Sequence, residues 1–241
     1  MQYNLTEPVF VKKGAIGLNA IEKWKRKTYL KSKFNNVIVD VEIYESEKDM
    51  ERSRSKIKQV EFNDYIDNLH SGWYLPDCGL GGLDINEDIY EDIFNPDRPE
   101  MPRDVFLFLG RDTKTGAHIH VEEDFVINQI VGKKIVYLLD FEELTLNNIF
   151  SRYSNFSKEN FFQLDGVKQN IQRIEMDPGD MLFIPPWTWH ATENIGNCIS
   201  VTKIFSREQS YFKEKRFKSL KRRHQLEFLY NYFRRFYYKN Y

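Results

Sequence analysis

The sequence predicts a mainly β fold with flanking helices, its strands closing into a barrel or sandwich. Three observations predict it. Short apolar runs divided by Gly, Asp and Pro turns crowd residues 105–205, while helical periodicity is confined to stretches before and after them. The length of 241 residues suits one large domain with a substantial core, as β barrels of this size commonly form a single unit.

Ala20-Ile21-Glu22-Lys23-Trp24 and Tyr29-Leu30-Lys31 read as short helices, and Val37-Ile38-Val39-Asp40-Val41-Glu42-Ile43 alternates as a strand. Residues 48–58 are charged and read as a solvated loop or helix start. Residues 84–100 carry seven acids and one Arg, and Pro96, Pro99 and Pro102 interrupt regular structure. A surface connection is expected there, with attraction of a basic substrate as the functional alternative. The strand pattern then sets in over 105–109, with a turn across Gly110 to Gly116, a strand over 117–121 and another over 125–131. Gly132-Lys133-Lys134 reads as a turn into a strand over 135–139, and a polar insert follows from about 142 to 168. Strands return over 171–176, 181–184 and 199–205.

The formal net charge of -1 hides an asymmetry, because the tail after Phe205 holds about eight more basic than acidic residues. Its run from Tyr211 to Tyr241 mixes Lys and Arg with Phe, Tyr and Leu and lacks Gly and Pro, which predicts a C-terminal helix. Packing on the barrel or on a second copy in a homodimer is the first reading of that helix. Nucleic-acid contact through Lys218, Lys221, Arg222 and Arg223, or an acidic protein partner, are the others. The expected division is therefore a barrel domain over 1–205, including its N-terminal α+β part, and a basic aromatic extension over 206–241.

Cys78 and Cys198 have no metal-ligand spacing and do not suggest a disulfide scaffold, so a reducing compartment is expected. The N-terminal residues lack a signal pattern and no run of about 18 apolar residues exists, which predicts a soluble, intracellular protein without a membrane partner.

The chemistry concentrates in two segments. On a strand, residues at i, i+2 and i+4 share a face, so His118, His120 and Glu122 project together if the strand holds that far. Imidazole and carboxylate together suit a first-row metal. His190 is the natural further ligand, delivered by the turn Asp177-Pro178-Gly179-Asp180, an apolar strand, and the stiff corner Pro185-Pro186-Trp187-Thr188-Trp189. The bland alternative makes His118 and His120 surface strand residues and His190 a core residue. Against it, three of the five histidines in the chain fall in these two segments.

GDMLFIPPWTWHATEN, from Gly179 to Asn194, resembles the second metal motif of the JmjC and cupin-like oxygenases that use Fe(II) and 2-oxoglutarate. TGAHIHVEEDFVINQIVGKK, from Thr115 to Lys134, looks like their first motif, an H-x-D/E followed by a Gln and G-x-K. Pro8-Val9-Phe10, Lys23-Trp24 and Tyr29-Leu30 resemble the start of the same family, so the likeness spans roughly residues 8 to 205. The resemblance implies a double-stranded β-helix, the jelly-roll or cupin barrel. It implies Lys134 as partner of the distal 2-oxoglutarate carboxylate and Thr115 as a second cosubstrate contact. Where the family often has an Asn on the last strand this chain has Lys203, a further candidate carboxylate anchor or the mark of a changed pocket.

One departure stays open at this level. With His118 as first ligand, His120 occupies the family's acidic position and the site is three histidines; with His120 first, Glu122 is the carboxylate. The resemblance implies hydroxylation of a protein or peptide side chain, with demethylation by the same step on an N-methyl group. A cupin site of His118, His120, Glu122 or Glu123, and His190 that works without 2-oxoglutarate is the second reading. A non-catalytic binding module is the third.

Overall fold

The structure is a computed structural model and describes residues 6–79, 86–89, 104–121, 123–141, 160–162, 170–206 and 218. The ten strands among these residues are β1 (Val9–Val11), β2 (Ile38–Ile43), β3 (Lys56–Glu61), β4 (Trp73–Gly79), β5 (Asp104–Arg111), β6 (Lys114–His118), β7 (Glu123–Asp140), β8 (Gln172–Met176), β9 (Met181–Ile184) and β10 (Thr188–Ser206). The helices are α1 (Ala20–Lys23), α2 (Lys27–Lys33), α3 (Glu47–Glu51), α4 (Phe62–Asp67) and α5 (Asn86–Ile89).

Two long strands organise the barrel. β7 and β10 pair antiparallel from end to end, and each serves two sheets. The first half of β7 pairs β9 and its second half pairs β8. The first half of β10 pairs β6 and its second half pairs β5. The result is a short sheet in the order β8-β7-β10-β6 and a long one in the order β1-β9-β7-β10-β5-β4-β2-β3. The pair changes sheets where its register shifts, between Ile195 and Ser200. Gly132 (φ 73°) and Gly196 (φ 63°) supply the left-handed backbone at that point, at little steric cost.

Strand alternation then sorts the side chains into three layers. Phe125, Ile127, Val136, Leu138, Met176, Leu182, Ile184 and Ile204 fill the interior between the sheets. The outer face of the short sheet buries Ala117, Ile135, Tyr137, Leu139, Trp189 and Ala191 beneath Phe141, Phe161 and Trp187. The outer face of the long sheet, including Leu107, Val126 and Val201, is covered by the N-terminal helices. Those helices present apolar residues three or four apart, such as Ala20 with Trp24, Leu30 with Phe34, and Phe62 with Tyr65 and Ile66, all buried. Phe34 stacks on Phe62 with ring centroids 4.2 Å apart. Each of the large side chains, such as Leu30, Phe34, Phe62 and Ile66, contributes about 1.5–3 kcal/mol by leaving water.

The mainly β barrel with flanking helices is as expected, and four local expectations change. Residues 132–134 are not a turn; the glycine makes a bulge and β7 runs on, because β10 bends with it. Residues 56–61 form a strand at the edge of the long sheet, hidden in the sequence because charged residues occupy both of its exposed faces. β6 ends at His118, short of the strand expected to reach residue 121. Within the acidic run, Asp88 is buried rather than solvated, accepting hydrogen bonds from Lys23, Trp24 and Tyr29. The expected C-terminal helix and the polar insert lie almost wholly outside the described residues. Cys78 and Cys198 are free thiols, and no helix among the described residues is long and apolar enough to cross a membrane.

Candidate metal centre

His118 on β6 pairs directly with His190 on β10, and both side chains face the interior. His120 lies two residues beyond the end of β6, in irregular chain. The backbone there is fixed from the other side, where Trp187 N–H donates to the His120 carbonyl at 2.8 Å. Trp187 has φ 66°, so the expected stiff aromatic corner is a left-handed turn locked by a buried indole. The three imidazoles converge, with ring centroids 4.1 Å apart for His118–His190, 5.1 Å for His118–His120 and 5.4 Å for His120–His190. One nitrogen from each lies within 4.8 Å of the others. A first-row ion with metal–nitrogen bonds of about 2.1 Å draws such a set together by small side-chain movements.

Backbone acceptors select the nitrogen. His118 Nδ1 sits 2.9 Å from the Gly116 carbonyl and His190 Nδ1 sits 3.0 Å from the Thr188 carbonyl. Those contacts place the proton on Nδ1 and the lone pair on Nε2. Burial pushes the His118 and His190 pKa values down, His190 well below the usual range with His118 beside it as a second cause. Neutral imidazoles with aligned lone pairs are the form that binds a metal.

The same interior face continues away from the histidines. Counting by twos from His190 along β10 leads through Thr192 to Asn194, which pairs with Lys134 of β7. Lys134 is 3% exposed, and burial lowers its pKa. No carboxylate stands against it among the described residues; its electrostatic neighbour is Cys198, whose thiol burial pushes up. Asn194 Oδ1, Gln129 Oε1 and Ser200 Oγ are also buried here without a hydrogen-bond partner. A buried ammonium group and a set of unmatched polar atoms form a costly interior unless a polar ligand completes it.

Residues 2–211 match the family model of the cupin-like domain. The chain belongs to that family. The fold of this cupin-like domain is similar to the X-ray structure of Escherichia coli YcfD over 85% of its own length and 51% of that chain, with 17% identity and a TM-score of 0.57. It is also similar to YcfD, a ribosomal oxygenase from Escherichia coli, in complex with cobalt and 2-oxoglutarate (16% identity, TM-score 0.53, 85% of this chain and 49% of that one). A complex of the same oxygenase with cobalt and succinic acid matches at 15% identity and TM-score 0.52, over 84% of this chain and 49% of that one. The cupin-like domain thus spans about half the length of these solved structures. No curated protein sequence matches it.

Of the expected site residues, the cupin-like domain brings together His118, His120 and His190. Glu122, the alternative to His118, lies outside the described residues. Thr115 reaches the interior face because a bulge in the β6–β10 pairing sets it opposite Thr192. Lys203 does not reach it. Ile204 and Thr202 take the interior side of β10, so Lys203 alternates outward between Val105 and Val126, 2% exposed, against the core under the N-terminal helices. The expectation of a carboxylate anchor at Lys203 is corrected by one residue of strand register. Ser200 was not singled out from the sequence, although the alternation of Thr192, Asn194, Ser200 and Thr202 along β10 marks a polar interior stripe.

Proposed function

We propose that this cupin-like domain is an Fe(II)- and 2-oxoglutarate-dependent oxygenase that hydroxylates a side chain of a protein or peptide. The observation that carries the reading is the arrangement on one interior face of three imidazoles and, paired with the residue four positions beyond His190, a buried lysine of β7 among unmatched polar atoms. A ring of nitrogen donors suits a first-row metal, and a buried cation calls for an anion. A chelating dicarboxylate meets both demands at once, one end at the histidines and the other at Lys134. The complexes of YcfD with cobalt, 2-oxoglutarate and succinic acid support the choice, and its description as a ribosomal oxygenase supports a macromolecular substrate.

His118, His120 and His190 would hold the metal, Lys134 would pair with the distal carboxylate, and the Thr115 hydroxyl would donate to the cosubstrate. Phe125, Val136, Leu138 and Ile184 exclude water around it. Iron with 2-oxoglutarate and dioxygen supplies the oxidation: one oxygen atom enters a substrate C–H bond as hydroxyl, the other enters succinate, and carbon dioxide leaves.

Succinate formed from 2-oxoglutarate by the iron-loaded protein tests the reading. Turnover is expected in the wild type and absent in Lys134→Ala; turnover indifferent to that substitution rejects the cosubstrate site. A second reading is a three-histidine cupin enzyme that needs no 2-oxoglutarate, favoured by His120 in place of the family's acid. It predicts dioxygen consumption without 2-oxoglutarate that Lys134→Ala leaves unchanged.

A further inference from the structure

Among the described residues the metal centre offers three imidazole donors and no carboxylate, so the donors themselves bring no charge to balance a divalent ion. The structure holds a carboxylate close by. Glu123 opens β7 opposite Ser206, and its side chain is 7% exposed. By alternation it faces the interior with Phe125, whose ring lies tilted against His120 with centroids 4.2 Å apart. Its Oε2 lies 3.8 Å from His120 Nδ1. His118 and His190 each turn Nδ1 to the carbonyl of the residue two positions earlier, inside a strand. His120 lies past the end of β6, and at 3.8 Å the Glu123 carboxylate is beyond hydrogen-bond length from its Nδ1 but within reach of its charge.

We propose that Glu123 is a positioning residue of the metal centre, holding the Nδ1 side of His120 and supplying through that imidazole the negative charge that three histidines leave out. A carboxylate behind a ligating histidine fixes its ring and raises its basicity, so the metal is held more tightly. The inference rests on the metal-centre reading above.

Cobalt(II) affinity, measured by chelator competition on the full chain, tests it. Glu123→Gln, which keeps the shape and removes the charge, is expected to weaken cobalt binding about 10- to 100-fold. Glu123→Asp, which keeps the charge, is expected to stay within about threefold of the wild type and guards against a variant that simply misfolds. In a His120→Ala background, Glu123→Gln is expected to change nothing further, because Glu123 acts through His120. Equal affinity of Glu123→Gln and wild type, equal losses in Glu123→Gln and Glu123→Asp, or additive losses with His120→Ala each overturn the proposal. A wild-type protein that takes up no cobalt overturns the metal-centre reading and this inference together.

Discussion

In the proposed site three histidines and one lysine would carry most of the chemistry, and their environments set opposite demands. His118 and His190 are driven toward the neutral form by burial, which prepares them for a metal. His190→Ala is expected to abolish stoichiometric metal uptake, checked by elemental analysis, while far-ultraviolet circular dichroism stays unchanged. Lys134 is buried at a cost, since desolvation lowers its pKa from 10.5. Lys134→Met is therefore expected to raise the stability of the ligand-free protein by about 1–2 kcal/mol while abolishing 2-oxoglutarate binding. The sign with pH follows from the direction of the shift. The wild type carries the full penalty below its lowered folded-state pKa, and the penalty shrinks as pH rises from there toward 10.5. The advantage of Lys134→Met should fade over the same window in denaturant melts. A variant no more stable than wild type at neutral pH would argue that Lys134 already has a protein partner.

At the scale of elements, the paired bends of β7 and β10 keep the histidines and Lys134 on one face. Even-numbered residues of β10 point inward on both sides of its irregular stretch, whereas β7 changes parity between Ile127 and Lys134. The bulge at Gly132 makes that change. A Cβ there would stand 2.0 Å from the Asn197 carbonyl oxygen at φ +73°, and backbone on both long strands would have to move. Gly132→Ala is expected to lower stability by about 2–4 kcal/mol in denaturant titrations and to weaken 2-oxoglutarate binding by displacing Lys134. Sequence pattern located this glycine but read it as a turn, because the residue type is shared by turns and bulges. Only the partner strand distinguishes the two. The edge strand β3 was missed for a related reason: with Lys56, Lys58 and Glu61 facing solvent and Ile57 70% exposed, no alternation marks it.

For the molecule as a whole, the open question at the sequence level was which residues around position 120 gather with His190. A metal and a cosubstrate that bind the folded barrel, as proposed, would add their free energy to its stability. A ligand at a hundred times its Kd contributes about 2.7 kcal/mol, or roughly 5–10 °C in melting temperature for a domain of this size. Manganese with 2-oxoglutarate is expected to give a rise of that order in the wild type and none in His118→Ala, measured by thermal melts. The sequence by itself determined that a barrel of short strands holds a histidine cluster, since ligand types, glycine turns and apolar runs are local and carry their meaning wherever they fold. It also singled out His190, through a turn, a strand and a corner in sequence, and Lys134, through the resemblance of its G-x-K to the family motif. Tertiary structure alone brought His118 beside His120 and His190, turned Lys203 away from them, and set Glu123 3.8 Å from His120. The physical reason is register: one bulge or one residue of slip moves a side chain to the opposite face, and register is set by the partner strand rather than by the segment that carries the residue.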